Sequence, residues 1–149
     1  MYKRFFPTIF FVSFFFIFAG CAGTRQIVPL PDQSRSTENT EMARIYVIRP
    51  ATLGTAISMN IKDGEQVIGN TGPDGYLFWE RPAGETTVSC KSAENTSSLP
   101  LNVEKAKTYY ILQRLQVGIT FRCKLELVDE TQGRQYLQQC HPPEVAPRL

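Results

Sequence analysis

Apolar and polar residues alternate along short runs between residues 43 and 128, and this pattern constrains the fold more than any other feature. The clearest run extends from Ile119 to Leu127, where every second side chain is apolar. Successive side chains of a β-strand point to opposite faces, so such a run gives one buried face and one wet face. No window before residue 131 offers apolar residues at helical spacing. The pattern therefore predicts an all-β domain.

Turn residues divide this region into eight candidate strands. Asp63-Gly64 ends one run as a hairpin signal, and turns at 72–75 and 81–84 separate others. Eight short strands over residues 43–140 suit an antiparallel β-sandwich of the immunoglobulin-like or transthyretin-like type. Residues 131–140 are ambiguous between a strand and a short helix. The predicted strands cover residues 44–49, 57–62, 66–69, 76–80, 85–91, 99–103, 108–114 and 119–127.

The first 20 residues have a composition unlike that of the remainder. They hold 8 of the 10 Phe, and an apolar run follows Lys3-Arg4 and ends in Ala19-Gly20. A positive start, an apolar stretch and a small-residue cleavage zone are typical of a secretory signal peptide. The alternative is an uncleaved membrane anchor, but crossing the hydrocarbon takes about 20 apolar residues. We expect residues 1–20 to be a signal peptide.

The sequence Phe18-Ala19-Gly20-Cys21 resembles the bacterial lipobox, although Phe18 stands where Leu is usual. The resemblance implies that the Cys21 thiol takes a diacylglycerol, becomes the new amino terminus and is acylated again. Ala22 follows, with no Asp to favour inner-membrane retention, which by the same resemblance indicates the outer membrane. The domain would face the periplasm, with exposure at the cell surface left open. An ordinary secreted protein is the alternative.

Residues 21–42 are rich in Ser, Thr, Gln, Asn and Pro and show no periodicity. Such a segment buries too little apolar area to offset its ordering entropy, so it predicts a flexible tether after the lipidated Cys21. A partner-binding segment is the alternative interpretation. Residues 43–140 form the predicted sandwich domain, and residues 141–149 are expected to be a disordered tail.

The charge and the scarcity of histidine exclude several classes of function. Lys3 and Arg4 supply the whole net charge of +2, so the remainder is neutral and lacks the basic bias that nucleic-acid binding needs. His141 is the one histidine, no C-x-x-C pair suggests zinc, and no G-x-S-x-G motif is present. We therefore expect a protein that is not an enzyme and that uses no cofactor and no metal.

Three cysteines remain if Cys21 is acylated, and an oxidising compartment favours their pairing. Cys90 and Cys123 both fall on the predicted inward side of their strands and could bridge the two sheets. Alternatively, a hairpin around residues 129–133 would place Cys123 opposite Cys140. The absence of any bridge is the third alternative.

Phe78 and Trp79 are adjacent on a predicted strand and must therefore face opposite sides of it. If Trp79 is exposed, its ring could contact a ligand, for example by stacking on a sugar. The interpretation favoured by the sequence is that neighbouring elements bury both rings.

Four blocks of sequence resemble a family of bacterial envelope lipoproteins that carry a small β-rich domain of unknown function. They are Ala43 to Pro50, Gly75 to Ser89, Lys107 to Leu112, and Leu125 to Glu130. The resemblance implies an envelope location and a β-rich fold, and it carries over no catalytic residue. The leading hypothesis is a membrane-anchored periplasmic module that binds or assembles with another envelope protein. The alternative is a glycan- or peptidoglycan-binding domain that uses an exposed aromatic, with Trp79 as the candidate.

Overall fold

Ten strands and one helix make up the computed structural model, which describes residues 23–32, 41–50 and 57–145. The eight strands expected from the sequence are all present, with ends shifted by a few residues, and the all-β sandwich is confirmed. The elements are β1 Arg25–Gln26, β2 Met42–Arg49, β3 Met59–Asp63, β4 Gln66–Thr71, β5 Gly75–Pro82, β6 Gly84–Lys91, β7 Thr96–Val103, β8 Thr108–Val117, β9 Phe121–Val128, α1 Glu130–Leu137 and β10 Glu144–Val145.

The strands form one sheet in the order β10-β1-β4-β3-β6-β7 and a second in the order β5-β2-β8-β9. The expectation of purely antiparallel sheets is wrong, because β2 pairs with β8 in parallel, with Ile48 opposite Leu112, and β1 pairs with β10 in parallel. Parallel neighbours need a long connection, and β3 to β7 lie between β2 and β8 in the chain. Both sheets are therefore mixed.

The two sheets bury their facing side chains in one core. The alternation in β3, β6 and β7 gives Met59, Ile61, Val88, Cys90 and Val103 inward positions, where they are almost fully buried. Removing apolar surface from water stabilises the sandwich by about 25 cal/mol per Å². The predicted inward run through β9 holds at Cys123 and Leu125, and Phe121 packs half-buried against the core, but the prediction is wrong at the two ends. Ile119 lies in the turn before β9 and is 99% exposed, and Leu127 is 51% exposed.

A second apolar cluster lies on the outer face of the four-stranded sheet, beneath α1. The ring of Tyr46 stacks on Phe78 and on Tyr110, with both centroid separations 5.4 Å. The carboxylate of Asp129 caps α1 by accepting a hydrogen bond of 2.8 Å from the backbone N of Gln132. The segment 131–140, which the sequence left ambiguous, therefore begins as a helix, stabilised by this cap and by the apolar cluster.

The predicted flexible tether and disordered tail need correction where the structure describes them. Thr24 and Gln26 are buried, and β1 pairs with β4 on one side and with β10 on the other. The backbone of His141 bridges to Gly75, and β10 continues the pairing to Val145. Backbone pairing and two buried polar side chains offset the ordering entropy that the composition alone leaves uncompensated. We call residues 23–32 the strap.

Side chains close the edges of the four-stranded sheet. On the β5 edge, the side-chain amide of Gln26 bonds the backbone of Phe78. On the β9 edge, the side-chain amide of Asn95 bonds both the N and the O of Cys123, each at 2.9 Å. An open strand edge is a template for pairing with another chain, and these amides occupy the groups that such pairing would use.

Candidate functional site

Cys21, the predicted lipid-attachment residue, lies outside the described residues, as does the signal segment before it. The first described residues follow closely. Thr24 is 8% exposed, and its Oγ1 accepts a hydrogen bond of 2.8 Å from the backbone N of Gly72. The chain thus contacts the sandwich from the third residue after Cys21, so the prediction of a flexible tether is wrong for residues 23–32.

The structure contains a disulfide between Cys90 in β6 and Cys123 in β9, with the Cα atoms 6.2 Å apart. It links the two sheets, as one of the alternatives drawn from the sequence expects. The Cys123–Cys140 alternative is wrong, because residues 130–137 form a helix and no hairpin brings these two together. The buried amide of Gln113 lies against the bridge, with Nε2 3.1 Å from Sγ of Cys90.

Cys140 is the free cysteine of the described residues, and it is buried at the end of α1 beside Ile48 and Tyr110. Burial raises the pKa of its thiol to about 11, with the charge of Asp74 adding to the effect. Burial opposes formation of the thiolate, which is the nucleophilic form. A nucleophilic role for Cys140 at neutral pH is therefore disfavoured.

Trp79 is buried, so its ring is not available to stack on a ligand. The structure therefore corrects the hypothesis that Trp79 contacts a ligand. The residue is 3% exposed on the inner face of β5, and Phe78 is buried on the outer face. A small cavity of about 290 Å³ is lined by Trp79 together with Val28 and Leu30 of the strap. The interpretation that both adjacent aromatics are buried is confirmed.

The indole of Trp79 is held by a carboxylate that closes one end of the core. Asp63 Oδ2 accepts a hydrogen bond of 2.8 Å from Trp79 Nε1, while Oδ1 accepts one of 2.5 Å from Arg81 Nη1 and another from Thr86 Oγ1. The carboxylate is 6% exposed and carries an ion pair with Arg81. Three donors satisfy the buried charge, which would otherwise be costly to desolvate.

An open groove of about 1110 Å³ begins at this carboxylate and runs over the outer face of β6 and β7. Hydroxyl and amide side chains line the two strands, and Asp63, Arg81 and Glu85 lie at one end. The side chains that point outward from the strands are Thr87, Ser89, Thr96, Ser98, Pro100 and Asn102. Among the residues that the structure describes, no aromatic side chain lines the groove. The groove can offer many hydrogen bonds and one fixed ion pair, and it provides no stacking surface.

Sequence reasoning missed the residues that build this groove. The sequence pattern marks Asp63 only as part of a turn signal, and it gives Arg81 only a place in the turn at 81–84. The outward polar positions of β6 and β7 do follow from the alternation that places Val88 and Leu101 inside. A cluster that joins Asp63, Trp79 and Arg81 gives no local signal, since it depends on which strands are neighbours in space.

Residues 23–32, 41–50 and 57–145 contain neither a cluster of metal ligands nor a membrane-spanning helix. No group of three or more His, Cys, Asp or Glu side chains in these ranges could hold a metal ion. In the same ranges, no helix has the length and apolar content to cross a bilayer. The expectation of a protein without metal or cofactor stays a prediction.

No family model and no solved structure matches this chain. An uncharacterised protein of Haemophilus influenzae is 28% identical to it over 108 residues. The matched region covers 72% of this chain and 64% of that protein, so the chain spans less than two thirds of the length of this relative. The relative carries no assigned activity, and the resemblance to envelope lipoproteins therefore stays an expectation.

Proposed function

We propose that this chain is a lipoprotein of the bacterial outer membrane, anchored through Cys21 and facing the periplasm. Its sandwich acts as a non-catalytic binding or assembly module for another envelope protein. A signal segment that ends in a lipobox-like sequence supports the anchor. A disulfide between the two sheets suits an oxidising compartment. One acyl chain holds a protein only marginally and two hold it well, so three on Cys21 would keep it at the membrane.

The observation that carries the binding role is the open polar groove over β6 and β7. Enzyme sites and small-molecule sites are usually enclosed and largely apolar, with a few convergent polar groups. This groove is open, and hydroxyls, amides and the Asp63–Arg81 ion pair line it together with Pro82, Pro100 and Leu101. An extended polar segment of a partner protein could satisfy these groups along its length. We take the groove as the partner surface.

The glycan alternative retains some support, because hydroxyl, amide and carboxylate groups also bond sugars. Its original form relied on an exposed ring, and Trp79 is buried against Asp63. Among the described residues, every aromatic side chain is buried or half-buried. A sugar site in the groove would lack the stacking surface that such sites commonly use. A protein partner is therefore the favoured occupant.

Site-specific crosslinking in intact cells tests this proposal. A photoreactive amino acid replaces Ser98 in the groove or, as the matched control, Gln135 on the exposed side of α1. The proposal expects one envelope protein crosslinked through position 98, none through position 135, and loss of the adduct in Ser89→Lys. Retention on purified peptidoglycan without a protein adduct supports the glycan alternative. Equal crosslinking at both positions, or none at either with no glycan retention, contradicts a role for the groove.

A further inference from the structure

The strap fixes the end of the sandwich at which the lipid is attached. Thr24 lies against Gly72 and Gly75, and Gly75 is opposite Arg49 in the pairing of β2 with β5. The lipid-bearing chain therefore joins the sandwich at the end where β2 finishes and β5 begins. We call this the anchor end.

The turn between β8 and β9 projects from the same end. β8 runs parallel to β2, and the last pair of their register joins Ile48 to Leu112. The five residues of β8 beyond Leu112 add about 17 Å along the strand before the turn. Val117 and Ile119 lie at this turn, where they are 77% and 99% exposed. We call residues 117–121 the tip.

The tip is held in place from the other sheet. Glu94, in the turn between β6 and β7, accepts hydrogen bonds from the backbone N of Thr120 and, at 3.0 Å, from Arg122 Nε. The hydrogen bond from Thr120 lowers the pKa of the Glu94 carboxyl. At the turn itself, the N of Gly118 donates to the O of Thr120 at 3.1 Å. Two exposed β-branched side chains thus lie on a turn that these hydrogen bonds hold to the neighbouring sheet.

Chain length brings the tip and the bilayer to the same level. Thr24 is the third residue after Cys21, and a fully extended chain covers about 3.5 Å per residue, so the two can lie at most about 10 Å apart. Thr24 lies beside Gly75, close to the level of Leu112 along the strands, and the tip extends about 17 Å beyond Leu112. This distance is at least as long as the reach from Thr24 to Cys21. Single exposed aliphatic side chains are ordinary on protein surfaces. Val117 and Ile119 lie together at the anchor end, which the lipid would hold against a bilayer. The apolar interior of that bilayer is therefore within their reach.

We infer that the tip inserts Val117 and Ile119 into the interfacial region of the membrane that holds the lipids of Cys21. The inference rests on the proposed lipid anchor and adds a second contact to it. Two contacts at one end of a short connection restrict the rotation of the sandwich, so the protein would sit upright on the membrane. An apolar segment at the headgroup boundary is buried by roughly 5–10 Å, which is within the length of these side chains and their turn.

Quenching of tryptophan fluorescence by lipid tests the inference on the mature protein purified from membranes. The protein is reconstituted into vesicles of phosphatidylethanolamine and phosphatidylglycerol that contain acyl-chain-brominated phosphatidylcholine. Trp79 is buried near the opposite end and supplies the baseline. Ile119→Trp adds a reporter at the tip. Leu127→Trp is the control, because Leu127 is exposed near the far end of β9, roughly 25 Å from Ile119.

The inference expects a blue shift and a loss of emission for Ile119→Trp in these vesicles, and neither for Leu127→Trp. A flexible Gly/Ser segment of about ten residues, inserted between Ala22 and Gly23, adds roughly 17 Å of reach. This insertion should remove most of the quenching while the protein stays on the vesicles.

Intact mass of each variant separates the failure of this inference from the failure of the anchor. An acylated Cys21 with no quenching at the tip, or with equal quenching at both reporters, overturns the inference and leaves the anchor standing. An unmodified Cys21 in the soluble fraction overturns both. In cells, a photoreactive group at Ile119 that crosslinks to a protein and not to lipid assigns the tip to a partner and also overturns the inference.

Discussion

The side-chain amide of Gln26 bonds both backbone groups of Phe78, donating from Nε2 to the O at 2.7 Å and accepting at Oε1 from the N at 3.1 Å. A neighbouring strand would make the same two bonds. This glutamine thus occupies the Phe78 groups of the β5 edge, and it adds to the β1–β4 pairing that holds the strap against the sandwich.

Gln26→Ala should lower the free energy of unfolding by about 2–4 kcal/mol, because it removes both hydrogen bonds to Phe78, together with one to Val28, and leaves buried groups of Phe78 unsatisfied. Urea denaturation of the Cys21→Ala protein, secreted without lipid, measures the change. Gln139→Ala is the matched control, since Gln139 is exposed. If both substitutions cost the same, Gln26 does not hold the edge.

Reduction of the Cys90–Cys123 bridge should lower the free energy of unfolding by about 3–4 kcal/mol. The bridge closes a segment with a sequence separation of 33, and the chain-entropy estimate for that length gives this cost. Denaturation with and without reductant measures it. Cys140→Ser should keep the full effect of the reductant, because Cys140 takes no part in the bridge. Peptide mapping that finds Cys140 in a disulfide would refute this pairing.

Much of the fold could be predicted from the sequence because it depends on neighbouring residues. The alternation in β3 and β6 specifies both the strands and their buried faces, and the turn at Asp63-Gly64 specifies a hairpin. The parallel pairing of β2 with β8 depends on packing between segments far apart in the chain. Periodicity within one segment carries no information about it.

The strap and the candidate site are harder to predict from the sequence than the strands are, and three residues show why. Gln26 lies in a strand of two residues, which is too short to show a period. Trp79 stands in a run that is apolar on both faces, so its exposure depends on what covers each face. Asp63 bonds Trp79 and Arg81 across two sheets, and no spacing in the sequence specifies that contact.

Gly133→Ala should destabilise the protein by about 1–2 kcal/mol, although alanine favours helices by about 1 kcal/mol over glycine. A Cβ at position 133 would collide with the ring of Tyr110, which lies in the cluster beneath α1. Thermal denaturation compares this variant with Thr131→Ala, an exposed position of the same helix. If Gly133→Ala stabilises the protein, α1 does not pack against the ring of Tyr110 as closely as the structure shows.

The thiol of Cys140 should react slowly with iodoacetamide at pH 8 in the native state and quickly in urea. Burial, with a smaller effect of Asp74, raises its pKa to about 11, above the usual value of about 8.5. The raised pKa contributes stability that is fully present below pH 8.5 and is lost as the pH rises towards 11. Cys140→Ala removes this dependence, and comparing the unfolding of the two proteins across that pH range isolates it. Rapid alkylation of the native protein at pH 8 would show that the thiol is exposed.

The mass of the intact mature chain, purified from outer membranes, tests the anchored-module account most directly. The account predicts a chain that begins at Cys21 and is heavier than the polypeptide by one diacylglycerol and one further acyl group. Cys21→Ala should lose this added mass and appear in the soluble periplasmic fraction. A wild-type chain found free in the periplasm, with an unmodified thiol at Cys21, would contradict the account.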